Sequence, residues 1–160
     1  MILSKQVADK KLRRMALEVA ERNYGKKELL LIGIKENGLF IAAKIAGYLK
    51  EVFEGKISLT ALSIDKKNPV KVELDSNVDF NNKAILLIDD VANSGRTMLY
   101  ALKPLLEQLP QQVQTLALVE RTHKQFPIAV DYVGLSVSTT LQENIVVEVK
   151  DGEILGAWLK

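Results

Sequence analysis

The chain has 160 residues, 48% hydrophobic and 26% charged, proportions of a soluble globular protein that exclude a collagen-like or disordered chain. At roughly 100–200 residues per domain, one domain spanning residues 1–160 is expected. Lys and Arg number 22 against 20 acids, a net +2 too mild to advertise a nucleic-acid partner, and with no Cys a disulfide framework, a thiolate nucleophile and a Cys-based zinc site are excluded.

The longest apolar runs, such as Leu29 to Ile32 and Ala84 to Ile88, fall far short of the ~18–20 residues that a membrane-spanning helix needs. Met1 to Lys5 leads into a charged segment without the apolar stretch of a secretory signal, so a cytoplasmic protein with no membrane partner is expected.

From Ser4, an N-cap residue type, Val7, Leu12, Met15, Ala16, Val19 and Ala20 recur at helical spacing, and Asn23-Tyr24-Gly25 supplies a stop. The other face of this opening helix carries Lys10, Lys11, Arg13 and Arg14, and up to Lys27 eight basic residues stand against three acids. That excess reads as a solvated face or as a surface for a phosphate backbone. Leu29 to Ile34 is continuously apolar, the pattern of a strand buried on both faces. After the Lys35-Glu36-Asn37-Gly38 loop, Leu39 to Phe53 predicts a helix ended by Gly55, and Ile57 to Ile64 a second strand. A strand, helix and strand within this span predict a parallel crossover and hence a parallel sheet. Asp65 to Lys83 is polar apart from a weak Val70-Lys71-Val72 alternation and reads as a mobile loop or short hairpin of the kind that forms active-site lids. Ala84 to Ile88 predicts a buried strand, Thr97 to Leu109 a second crossover helix and Gln114 to Val119 a fourth strand. Beyond Asp131, Tyr132-Val133, Ile145 to Val149 and Ile154-Leu155 read as short strands, with Asp151-Gly152 as a hairpin turn.

Chemistry concentrates in Ile85 to Thr97, a buried strand ending in Asp89-Asp90, then a turn with hydroxyls and Gly, then a helix. Two carboxylates at the carboxyl end of a parallel strand lie where open α/β sheets bind ligands, and both can reach vicinal hydroxyls there. Asn93 to Thr97 combines backbone N–H groups at a helix start, the Ser94 and Thr97 hydroxyls and the permissive Gly95, which together form a phosphate cradle. The spacing fits neither the Walker loop nor the dinucleotide fingerprint. A magnesium ion here would be held by one or two carboxylates and would arrive with the ligand.

Ile88-Asp89-Asp90-Val91-Ala92-Asn93-Ser94-Gly95-Arg96-Thr97 resembles the signature with which type I phosphoribosyltransferases bind phosphoribosyl pyrophosphate. The opening helix, Leu31 to Lys35 with Gly38, Leu118 to Ile128 and Asp131 to Gly134 extend the resemblance to the PyrR branch, pyrimidine-operon regulators that are also uracil phosphoribosyltransferases. It implies an α/β fold with a central parallel sheet flanked by helices and a small hood built from chain-terminal segments. It also implies catalytic roles for Asp89 and Asp90 on the ribose hydroxyls, and a 5′-phosphate wrapped by Asn93, Ser94, Gly95, Arg96 and Thr97. Lys35, Glu36, Asn37 and Gly38 would form the pyrophosphate loop, and Asp65, Lys66 and Lys67, within Asp65 to Pro69, the lid. Val119, Glu120, Arg121 and Val133 would border the base. Magnesium carried with the pyrophosphate and a homodimer are implied as well.

Where that branch has Thr-Arg in the pyrophosphate loop, this chain has Glu36-Asn37, exchanging a cation for an acid and an amide. Lys66, Lys67 and Asn68 replace the lid's guanidinium, and Glu120-Arg121-Thr122 stands in place of Asp-Arg-Gly. His123, the only histidine, reads as a surface residue, and Trp158 as a packing or dimer-interface residue. The leading expectation is phosphoribosyl transfer to a nucleobase, uracil by the resemblance. The alternatives are a nucleotide-sensing RNA-binding regulator, using Lys10, Lys11, Arg13, Arg14, Arg121 and Lys124, and a nucleotide-binding module that has lost efficient chemistry.

Overall fold

The computed structural model describes residues 1–140 and 142–160. In chain order the elements are β1 (Leu3–Ser4), α1 (Lys5–Arg22), β2 (Glu28–Ile34), α2 (Asn37–Val52), β3 (Lys56–Ile64), β4 (Val72–Leu74) and β5 (Ala84–Ala92). These are followed by α3 (Arg96–Ala101), α4 (Lys103–Leu106), β6 (Gln112–Arg121), β7 (Tyr132–Val137), β8 (Ile145–Lys150) and β9 (Glu153–Leu159). Among the described residues no helix is long and apolar enough to cross a membrane.

The continuously apolar β2 and β5 occupy the centre of a six-stranded sheet of order β4-β3-β2-β5-β6-β7. Strands β3, β2, β5, β6 and β7 run parallel, and β4 closes one edge antiparallel to β3. The predicted parallel sheet is therefore present, with β7 as a further parallel strand. Helices α1 and α2 cover one face through Leu12, Met15, Val19, Ile41, Ile45 and Leu49. On the other face, Met98, Ala101 and Leu105 of α3 and α4 pack with Phe80. Each of the larger of these side chains contributes roughly 1.5–3 kcal/mol on full burial.

The hood is a separate three-stranded sheet, β1-β9-β8, joining the chain's first strand to its last two. It packs into the α1/α2 layer through Leu3, Ile145, Val147, Ile154 and Ala157. Strands β8 and β9 are joined at Asp151 (φ 53) and Gly152 (φ 75), the two positive φ values a tight hairpin demands.

Among the boundaries that differ from the sequence reading, three bear on the site. Helix α2 begins at Asn37, two residues before Leu39. The expected Thr97 to Leu109 helix is divided into α3 and α4, because Pro104 has no N–H to donate to the carbonyl of Tyr100. Strand β5 continues through Ala92, beyond the expected Ile88. It pairs with β2 only as far as Ile88, opposite Gly33, but follows β6 to Ala92 opposite Glu120. Asp89 and Asp90 thus lie on a strand overhang with one edge unpaired.

Candidate functional site

The chain leaves β2 through α2 toward β3 on one side, and leaves β5 through α3 and α4 toward β6 on the other. Diverging crossovers leave a crevice at the carboxyl ends of β2 and β5, where open α/β sheets take ligands. A cleft of about 200 Å³ opens there, bordered by Asp89, Asp90, the Asn93 to Gly95 turn, Thr97, Asn37 and Lys66, and by Ile145 to Val147 of the hood.

The two carboxylates are buried, Asp89 at 1% exposure and Asp90 at 7%. Asp89 Oδ1 accepts from the Asp90 N–H at 2.9 Å, and Asp90 Oδ1 from the Val91 N–H at 2.8 Å. Asp90 Oδ2 accepts from Asn37 Nδ2 at 2.9 Å. Asp89 Oδ2 is buried with no hydrogen-bond partner, and the nearest cation, Lys66 Nζ, stands 3.7 Å away. Burial first, then the charge of Asp90, push the Asp89 carboxyl well above its ordinary value, with Lys66 opposing. An unpartnered buried acceptor facing a cleft is a place for a hydroxyl donor or a cation. Among the described residues no three His, Cys, Asp or Glu side chains converge, so a divalent cation would take one or two of these carboxylates and draw its other oxygens from the ligand and water.

In the cradle Gly95 adopts φ +84, and a Cβ there would stand 2.5 Å from Ile128 Cγ2. Both the handedness of the turn and the packing behind it therefore require glycine. The Ser94 carbonyl accepts from the Gln125 and Phe126 N–H groups, each at 3.0 Å, so residues 125–128 brace the turn. The Ser94 hydroxyl accepts from the Arg96 N–H at 3.2 Å. With six residues, α3 carries a small dipole, so the cradle rests on backbone N–H groups and hydroxyls more than on the helix field.

Not every predicted site residue reaches the cleft. The Lys35–Glu36 peptide is cis, Lys35 Nζ pairs with Asp75 at 2.5 Å, and the Glu36 side chain is exposed. Arg96 turns its guanidinium to the carbonyl of Lys66 at 2.7 Å and so ties the start of α3 to the segment after β3, while Lys67 and Asp65 form an exposed turn. The four residues expected to border the base lie on β6 and β7. Val119 is fully buried in the α1/α2 core layer, and Val133, near the start of β7, pairs with Ala117 and gives its carbonyl to Arg14 at 3.0 Å. Glu120 binds Lys124 at 2.7 Å and Ser136 at 2.9 Å. Arg121 donates to the carbonyls of Thr140 and Glu143. None of the four is among the residues that border this cleft, whose apolar wall is Ile145 to Val147, a strand segment with no chemical signature. The bracing segment 125–128 was likewise silent apart from the family likeness.

Residues 1–151 match the phosphoribosyl transferase domain family. The bifunctional protein PyrR of Bacillus cereus strain AH820 is 35% identical over 162 residues, covering 94% of this chain and 90% of that protein. The PyrR protein of Bacillus thuringiensis subsp. konkukian gives the same figures. Among solved structures, the hypoxanthine phosphoribosyltransferase of Trypanosoma cruzi superposes with TM-score 0.81 at 15% identity, covering 98% of this chain and 94% of that one. The hypoxanthine-guanine phosphoribosyltransferase of Bacillus anthracis superposes with TM-score 0.72 at 19% identity, over 91% and 85%. The structural likenesses establish the fold and the sequence relatives the branch: the chain belongs to the phosphoribosyltransferase family, as a PyrR-like member with the type I fold.

Proposed function

We propose that this protein transfers the phosphoribosyl group of phosphoribosyl pyrophosphate to a nucleobase, uracil first, and releases pyrophosphate. The observation that carries this reading is the pair of buried carboxylates on the β5 overhang leading directly into the Gly95 turn, all bordering one cleft. A sugar diol beside a 5′-phosphate matches that order of groups. Uracil comes from the PyrR likeness, as do a homodimer and magnesium carried with the substrate; a cytoplasmic setting rests on the charged opening segment.

Asp89 and Asp90 accept from the ribose hydroxyls, and the Ser94, Gly95 and Thr97 region wraps the 5′-phosphate. The bond from the anomeric carbon to pyrophosphate breaks as the bond to the base nitrogen forms, and the nitrogen's proton passes to water. The transition state is oxocarbenium-like, so the protein's work is positioning, charge stabilisation and exclusion of water. Lys66 lies over the cleft on the 65–71 segment and places a cation beside the leaving group. When bound with the pyrophosphate, a magnesium ion would be held by Asp89 or Asp90 together with ligand and water oxygens, and would supply further neutralisation of the leaving charge.

An RNA-binding reading has fewer cations to draw on than the sequence offered. Arg13 pairs with Asp9 at 3.1 Å and stacks 4.5 Å from the Tyr48 ring centroid, Arg14 binds Glu18 and backbone carbonyls, and Arg121 and Lys124 are held internally. Pyrophosphate release with magnesium across uracil, guanine, hypoxanthine, adenine and orotate, with Asp89→Asn/Asp90→Asn as control, tests the transferase. Release that requires one base and disappears in the control is expected. Silence with every base, together with retained nucleotide binding, would overturn it.

A further inference from the structure

We propose that Asn37 is a positioning residue, a strut that holds the ribose-binding carboxylate of Asp90 and ties the hood to the β5 overhang. This rests on the reading of Asp89 and Asp90 as ribose ligands. Asn37 is the first residue of α2, and its amide nitrogen carries two hydrogens. One goes to Asp90 Oδ2 at 2.9 Å and the other to the Val147 carbonyl of β8 at 3.0 Å. The partners lie 53 and 110 residues away along the chain, so one side chain joins α2, β5 and the hood.

Both partners are acceptors, which fixes the amide's orientation: turned over, its oxygen would face a carboxylate and a carbonyl. With Val91 N–H on Oδ1 and Asn37 on Oδ2, each Asp90 oxygen has a fixed donor and keeps lone pairs for a ligand. The fit also depends on a short side chain. A Cβ on the adjacent Gly38 would stand 2.8 Å from the Ile88 carbonyl, so the start of α2 already abuts β5. Aspartate at position 37 would oppose like charges, and a long cation would pair with Asp90 without the two-way bridge.

Segment 35–38 therefore shapes the site and leaves charge to others. Lys35 is paired with Asp75, Glu36 is an acid, Asn37 spends both N–H groups internally, and Lys66 is the cation among the described cleft-lining residues. The missing loop cation is a strut.

Calorimetric titration of the full chain with ribose 5-phosphate, its 2-deoxy and 3-deoxy analogues and inorganic phosphate tests this without any base. Wild type is expected to favour ribose 5-phosphate over at least one deoxy analogue by roughly tenfold or more. In Asn37→Ala that preference falls by about tenfold while inorganic phosphate binds as before, and Asn37→Asp loses more. Should the alanine variant fail to fold, Asn37→Ser gives the same reading, since one hydroxyl hydrogen cannot serve two acceptors. An unchanged ribose preference in folded variants, with only a lower melting temperature, would overturn the proposal. Wild type without any ribose preference would overturn it too, by removing the carboxylate roles on which it rests. Base-dependent pyrophosphate release is measured separately, so failure of the transferase reading remains distinguishable.

Discussion

Asp89, the proposed ribose ligand, lowers the stability of the ligand-free protein. Its Oδ2 is buried without a hydrogen-bond partner, and its carboxyl is pushed well above the ordinary 3.8 by desolvation and by Asp90. Below that ordinary value the folded and unfolded states are both protonated, and Asp89 contributes nothing to pH dependence. As pH rises above it, the unfolded chain releases a proton that the folded chain retains, so stability falls until the raised value is passed. Asp89→Asn is therefore expected to melt higher than wild type at neutral pH, with the gap closing toward about pH 4. Thermal melts of both ligand-free proteins would show it, and a variant less stable throughout would refute the assignment. Taking the difference removes the opposite trend from Asp9 and Glu28, whose carboxyls are lowered, chiefly by Tyr48 and Lys83 respectively. The same variant should lose roughly 10²-fold or more in transfer rate. The residue proposed to bind ribose is thus one that destabilises the unliganded fold.

At the scale of elements, the site forms where β2 stops and β5 continues. The Ile85 to Thr97 string was legible because strand, acids, turn and helix start are local, each fixed by residues a few positions apart. Contacts closed by tertiary folding were not legible: Lys66 over Asp89, Arg96 on the Lys66 carbonyl and the Ile145 to Val147 wall. Within the expected base-site set, Glu120 and Arg121 close the carboxyl end of β6 while Val133 lies near the amino end of β7, a separation that an apolar strand pattern does not disclose. Lys66, on the segment between β3 and β4, carries a specific prediction. Lys66→Ala is expected to raise KM for phosphoribosyl pyrophosphate by about tenfold, with a smaller change in kcat. Lys66→Arg should retain much of the affinity, since the charge remains. Initial rates over a matrix of both substrates separate the two parameters; an unchanged KM would mean that the lysine only neutralises Asp89 in the empty site.

For the whole molecule, the hood is the part whose position the local sequence could least convey, because it joins β1 to β9 from opposite ends of the described chain. Its hairpin was readable at Asp151-Gly152, but its partner strand, two residues long, was not. Its seam depends on Gly156, which pairs with Ser4 at φ +155 and lies so close to Leu3 that a Cβ would stand 2.6 Å from that carbonyl. A methyl group there must displace both the β1 backbone and the Trp158 ring, which lies 2.9 Å from the same point. Gly156→Ala is expected to cost roughly 1–3 kcal/mol, read as a fall in melting temperature. The loss should reach the cleft, because β9 supports β8, and β8 carries Ile145 to Val147 and the Val147 carbonyl held by Asn37. Hydrogen exchange should then rise in β8 and β9 while β2 and β5 remain protected, and KM for the base should rise more than affinity for inorganic phosphate falls. Uniform deprotection across both sheets would instead mean that hood and core unfold as one unit, and that the cleft wall has no independent freedom to move.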